Sequence, residues 1–339
     1  MKSPQSLARL LTIPILVTLS VFCAAQTYNI TDLGTLPGGN ASVAFGLNAS
    51  GQVAADSTLP NNAYGHGFLY SHGTRIDLGD LGGGWSDAFE VNASGQVTGY
   101  APLAGGTTRA YIYTNHRMKP LPTLGGATNE GYAINDHGDI TGASDTGNGE
   151  VHPFLYRNGK LVDLGTLGAH QPGLWNVGSG INNSDAVVGM SWRANGAIQA
   201  FLWKNGKMKD LGDLGGGYSR AWAINDQGQV AGEAYTAAGA LNAFLWTNGK
   251  MKTLGTLAGD FSRGLALNRA GIVVGESTSS NGDHHAFVYR SGKMLDLNQL
   301  IPAGSGWELG SASGINDAGQ ISGSGLHNGQ QRGFLLTPR

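Results

Sequence analysis

Asp87, Glu130, Arg220 and Arg263 hold one shared position in successive stretches of this sequence, where the other copies carry Val43, Val177 and Ser311. Positions shared in this way fall on a common ring if the copies close on themselves. Acid would then face base across an opening, a field able to orient a polar or zwitterionic ligand. Two residues before that position stand Trp85, Trp175, Tyr218 and Phe261, with Tyr100, Trp192 and Tyr235 in nearby connections. Aromatic faces beside carboxylates and guanidiniums suit stacking against a sugar or anchoring a protein partner. Glu90 stands apart because every other copy has Ala or Gly there. A carboxyl in so crowded a column is expected to have a raised pKa. Glu90, Asp87 and Glu130 are therefore the candidates for paired-carboxylate chemistry, which in glycoside hydrolysis needs two acids about 5–10 Å apart.

The elements that must position these residues are repeats covering nearly the whole chain. The segment Asp32-Leu33-Gly34-Thr35-Leu36 recurs from Asp77, Pro120, Asp163, Asp210, Thr253 and Asp296, at steps of 45, 43, 43, 47, 43 and 43 residues. An apolar-Asn turn (Asn48, Asn92, Asn135, Asn182, Asn225, Asn268, Asn316) and a run of the type Phe244-Leu245-Trp246 also occur seven times each. Within a period, four short strands alternate with turn chemistry. Strand a, typified by Ser219–Ile224, alternates small with large residues, and strand b follows an Asn-Asp-x-Gly turn. Strand c is the aromatic run, and Asn158-Gly159, Asn205-Gly206 and Asn248-Gly249 are two-residue hairpin turns into strand d. Four strands in about 44 residues is the period of a propeller blade. The expected fold is all-β, a seven-bladed β-propeller with four antiparallel strands per blade. Because Tyr28–Leu33 reads as a strand d and the chain finishes on the strand c at Phe334, the N-terminal strand is expected to close the last blade and leave no free edge.

His285-Ala286-Phe287, the Asp-Leu-Gly-Thr-Leu segments and the Ile-Asn-Asp-x-Gly turns resemble the extracellular HAF-repeat family of bacteria, over about residues 28 to 336. His66-Gly67-Phe68 and His152-Pro153-Phe154 depart from the naming triplet at its centre. The resemblance implies an exported bacterial repeat protein and contributes no catalytic residues.

Gly (56 residues) and Pro (11) make up about a fifth of the 339-residue chain, while charged residues are only 13%. That composition excludes a disordered, coiled-coil or collagen-like chain. Lys2 and Arg9 precede an apolar run from Leu10 to Phe22, followed by small residues at Ala24 and Ala25. Residues 1–26 therefore read as a signal peptide too short to anchor in a bilayer, with 27–339 as one propeller domain and the product extracellular or periplasmic. The leader carries the only cysteine, Cys23, so disulfides are excluded from the mature domain. A formal net charge of −2, more negative once Lys2 and Arg9 are gone, excludes nucleic-acid and anionic-membrane binding through a basic footprint.

Residues present in nearly every repeat read as scaffold. The Asp32, Asp77, Asp163, Asp210 and Asp296 column is expected to accept backbone N–H bonds in the turn that follows. The polar column His66, Arg109, His152, Gln199, Asn242, His285 and Arg332 is expected to bond to neighbouring blades, being too dispersed to hold a metal. Asp145-Thr146-Gly147-Asn148-Gly149-Glu150 is rich in oxygens but lacks the alternating ligand spacing of a calcium loop. No metal and no cofactor are expected. The sequence points to a monomeric binding or interaction module for a carbohydrate or protein ligand, held by Trp85, Asp87, Glu130, Trp175, Tyr218, Arg220 and Arg263. The rival reading is a glycan-cleaving hydrolase or lyase using Glu90, Asp87 and Glu130.

Overall fold

The computed structural model describes residues 26–60 and 65–339, so the leader reading, with Lys2, Arg9 and Cys23, lies outside the described residues. The described residues hold 28 β-strands and one short 3₁₀ turn, Leu297–Gln299. The strands form seven four-stranded antiparallel units, three of which are joined through single parallel bridges, Ile198 to Tyr218 and Leu241 to Phe261. Tyr28–Asp32 pairs antiparallel with Gln330–Pro338, from Tyr28 opposite Pro338 to Asp32 opposite Phe334, and so supplies the fourth strand of the last unit. The molecule is a β-propeller. Among the described residues no helix is long and apolar enough to cross a membrane.

Closure is visible as an unbroken ring of hydrogen bonds. The Nδ2 of Asn48 donates to the backbone oxygen of Asn92, and the same bond links Asn92 to Asn135, then Asn182, Asn225, Asn268 and Asn316. Asn316 Nδ2 returns to the Asn48 oxygen at 3.1 Å. Each Asn is nearly inaccessible, and in most copies its Oδ1 accepts N–H groups of its own turn. Asn is required because it must accept within one blade and donate to the next.

The core lies between blades rather than at the axis. Phe68, Tyr111, Phe154, Phe201, Phe244, Phe287 and Phe334, one from each strand c, are all 0% exposed. One apolar cluster joins Val188 and Ala200 of one blade to Ala221, Val230 and Phe244 of the next. Burying an aromatic ring of this kind contributes about 3 kcal/mol or more. The hairpin turns behave as their sequence dictates: Asn158-Gly159, Asn205-Gly206 and Asn248-Gly249 all have positive φ at both residues.

The strand d carboxylates accept backbone N–H groups two residues on, at 2.7 Å for Asp32 to Gly34 and 2.8 Å for Asp163 to Gly165. The polar column meets the expectation made for it only in part. His66, His152 and His285 bond to Asp77, Asp163 and Asp296 of their own blade, because strands c and d are hydrogen-bonded neighbours and the two columns fall side by side. Arg109 and Arg332 reach backbone oxygens of the next blade, at Ala127 and Asn40, and Gln199 accepts from the Ser219 hydroxyl of the next blade and donates to Asp213.

Candidate functional site

Strand a lines the central channel in all seven blades, and each copy carries a β-bulge at one place. The ladder skips Phe89 between Ala88 and Glu90, Tyr132 between Gly131 and Ala133, and Trp222 between Ala221 and Ala223. A bulge sets two residues against one on the partner strand, which breaks the alternation of faces. Consequently the bulged residue and the one after it both face the channel. Around one mouth this builds an open cavity of about 590 Å³, walled by Phe45, Phe89, Tyr132, Trp222 and Leu265 with Glu90, Arg220, Arg263 and Glu276. That volume lies within the range of small-molecule sites.

One arc of the mouth is acidic and aromatic. Asp87 takes hydrogen bonds from Tyr100 and from the carboxyl of Asp56, on the second strand of the preceding blade. Burial pushes both carboxyls up, Asp56 strongly so, with repulsion from Asp87 adding to the effect. Ala88 N–H donates to Asp56 Oδ1 at 2.8 Å. Burial also raises Glu130, against the hydrogen bond that the Tyr132 hydroxyl donates to it. Phe89 sits at the centre of the rings, with its centroid 5.0 Å from Phe45, 5.3 Å from Tyr132 and 5.4 Å from Tyr100. Trp85 stands edge-on to Tyr100 at 5.9 Å.

Glu90 lies over Gly46 of the preceding blade, where a Cβ would collide with its carboxyl, so glycine is required there. Burial pushes its pKa up to about 8, against one backbone bond from Val91. Glu90 is thus largely a neutral acid at neutral pH.

The opposite arc corrects the expected positive field. The Nε of Arg263 lies 3.2 Å from a carboxylate oxygen of Glu233 and 3.2 Å from one of Glu276. Both glutamates come from strand b, directly opposite Arg220 and Arg263 in the ladder. Tyr218 donates to Glu233 at 3.1 Å, and burial together with that carboxylate pushes its phenol up to about 12. The Arg220 guanidinium lies 3.5 Å over the Trp222 ring, and burial lowers its pKa. This arc is an ion-paired network, so the mouth as a whole is acidic.

Of the residues expected to bind ligand, Arg220 and Arg263 line the cavity, and Trp85, Asp87, Glu130 and Tyr218 support its rim through the contacts just described. Trp175 is not part of the cavity wall, but it keeps the register of Tyr218 and Phe261: it bridges to Val151 of the preceding blade as they do to Ile198 and Leu241, and it is 38% exposed. Asp56, Glu233 and Glu276, which reasoning on strand a alone missed, form a second ring with Tyr100, which the structure places on strand b rather than in a connection. Their signal was present in the repeat, since each lies three residues after the first valine of strand b: Val53, Val97, Val230 and Val273. Trp222 faces the channel on the same side of the strand as Arg220, and the bulge turns Ala223 the same way.

No protein-family model and no curated protein matches the chain. Solved structures similar to it include a puromycin-hydrolysing peptidase of Mycobacterium tuberculosis, at 13% identity and a TM-score of 0.55, aligned over 84% of this chain and 48% of that one. Others are a gluconolactonase of Xanthomonas campestris (13%, TM-score 0.45, 92% and 90%) and the BP39L lectin of Burkholderia pseudomallei (8%, 0.44, 92% and 96%). This chain spans about half the length of the peptidase. At such identities the likeness concerns the fold alone, a β-propeller.

Proposed function

We propose that the chain is a β-propeller binding module whose funnel takes a small polyhydroxylated ligand of the carbohydrate class. The observation that carries this reading is the cavity of about 590 Å³ in which aromatic faces (Phe89, Tyr132, Trp222) alternate with hydrogen-bonding groups of both kinds (Arg220, Arg263, Glu90). Sugars present C–H faces that stack on rings and hydroxyls that both donate and accept, and this wall offers partners for each. Delivery outside the cytoplasm is part of the proposal, supported by the apolar run Leu10 to Phe22 behind Lys2 and Arg9 and by the resemblance to an extracellular repeat family.

A second reading, glycan hydrolysis, is favoured by one specific observation: burial raises the carboxyls of Asp87, Glu90 and Glu130, all on the strands that form this mouth. Raised carboxyls are the acids of glycoside chemistry.

Glycan-array binding by the purified chain and by Trp222→Ala tests the first reading. The expected result is a restricted set of bound glycans, each weakened at least ~10-fold by the substitution, as for loss of a buried aromatic anchor. Equal binding by both proteins, or none by either, overturns it.

A further inference from the structure

Three side chains from a lengthened connection and the start of a strand c meet at one point that is not part of the funnel wall. The stretch from Asp163 to Asn182 is 19 residues, against 16 from Asp32 to Asn48, 15 in the second, third, fifth and sixth copies and 20 from Asp296 to Asn316. The connection between Asp163 and Asn182 carries His170, set just after the buried Ala169, whose N–H bonds to the Trp192 oxygen at 3.3 Å. Glu150 stands two residues before His152, where other copies carry Tyr64, Thr107, Ala197, Ala240, Asp283 and Gln330. The Thr146 hydroxyl fixes its backbone from both sides, at 2.9 and 3.1 Å. His152, from the strand c column, is 8% exposed.

We infer that Glu150, His152 and His170 form a site for a divalent metal ion of the zinc class. Glu150 Oε2 lies 2.9 Å from His152 Nε2 and 3.7 Å from His170 Nδ1, and the three ligand atoms all lie within 4.8 Å of one another. Zinc bound at its usual 2.0–2.1 Å in a tetrahedron separates its ligands by about 3.3 Å, a spacing that these distances bracket. The other nitrogen of His152, Nδ1, lies 2.8 Å from Asp163 Oδ1. A carboxylate behind an imidazole fixes the tautomer that turns Nε2 toward a metal, the usual outer-shell arrangement. Two imidazoles and one carboxylate leave the fourth position of a tetrahedron for water or a ligand atom. Exposed Trp175 is on the same connection, bridged to Val151 between Glu150 and His152, so the site has an aromatic neighbour of its own. A second cluster, His137, Asp139 and Asp185, differs in kind. Arg157 Nη1 already lies 2.8 Å from Asp185 Oδ2 and supplies the positive charge that a metal would.

Equilibrium dialysis of the full chain, without a histidine tag, against Zn²⁺ tests the assignment, with Ca²⁺ as the comparison because imidazole ligands disfavour it. One Zn²⁺ per chain is expected, removable by chelator and accompanied by a rise in melting temperature, with no comparable Ca²⁺ uptake. Affinity should fall at least ~10-fold in His170→Ala and Glu150→Gln, and about 10–100-fold in Asp163→Asn through lost orientation of His152. His170 is on an exposed connection, so His170→Ala should melt like the parent chain when zinc is absent. Failure of the parent chain to take up Zn²⁺, or uptake unchanged in His170→Ala, overturns the assignment. Neither result bears on the funnel, which shares no residue with this site.

Discussion

Asp56 and Asp87 reach across the seam between the first two blades and are hydrogen-bonded to one another through their carboxyls. Two carboxyls can bond in this way only if one keeps its proton. The repeat places them there: the first position of each strand a falls opposite the fourth of its strand b, and the close approach of blades at the axis brings Asp56 beside the neighbouring strand a.

The pair makes stability depend on pH with a definite sign. Both carboxyls are raised in the folded chain, so the folded state holds more protons than the unfolded one above the ordinary carboxylate range, and stability falls as pH rises through the raised values. Asp56→Asn keeps the shape of the side chain and removes the titration. Thermal melts should match those of the parent at pH 4 and lie above them at pH 8 by at least about 2 °C. A variant that melts lower at pH 8 counts against the shared proton.

Glu90 titrates in a window of its own, from its ordinary value of 4.5 to about 8. Its folded pKa is raised, so its contribution to stability is complete below the ordinary value and is lost as pH climbs through about 8. Glu90→Gln imitates the protonated acid and should flatten the melting profile between pH 5 and 9. It should also abolish any weakening of ligand binding above pH 8. A Glu90→Gln profile parallel to that of the parent sinks this reading.

The asparagine ring predicts an effect far larger than one side chain would suggest. Asn225 donates to the Asn268 oxygen at 3.0 Å and to Gln229 Oε1 at 2.8 Å, and accepts from Gln229 N–H at 2.9 Å. Asn225→Ala leaves the Gln229 N–H unpaired, at about 1–3 kcal/mol, and breaks the link to the next blade at the Asn268 oxygen, which keeps only the Gly271 N–H. Chemical denaturation should show a loss of at least about 2 kcal/mol, whereas Asn205→Ala, at an exposed hairpin turn, should cost much less. Equal losses would mean that the ring is incidental.

The closing strand gives a harder test. Removing Tyr28–Asp32 strips the backbone partners from Gln330–Pro338, exposes Phe334 and Leu336, and frees an edge for intermolecular pairing. The truncated chain should melt well below the parent and associate in light scattering. Melting like the parent as a monomer would mean that the strand adds nothing to closure.

Strand number, hairpin turns and ring closure were legible because they depend on columns repeated seven times, where one irregular copy does not hide the pattern. The chemistry of the mouth was less so. Period-2 alternation separates two faces of a strand, but the bulges at Phe89, Tyr132 and Trp222 turn two consecutive residues the same way, so alternation alone assigns Glu90, which follows Phe89, to the face away from the channel. The pairing of Arg263 with Glu233 depends on how neighbouring blades pack, which no position within one repeat reveals.

Binding and hydrolysis separate at Asp87 and Glu130. Each sits at the rim with a tyrosine partner, Tyr100 for Asp87 and Tyr132 for Glu130, and replacing either carboxylate by its amide keeps the size of the side chain while removing charge and proton transfer. If the funnel only binds, Asp87→Asn and Glu130→Gln should weaken a bound glycan by about 1–3 kcal/mol each, the cost of a lost buried charge-assisted bond, and no glycan should be cleaved by any form. If the funnel hydrolyses, affinity should survive and turnover should fall at least ~10²-fold, the usual contribution of a general acid or base. Isothermal titration of each amide variant beside a reducing-end assay of the parent decides the matter, because cleavage by the parent is incompatible with a pure binding module.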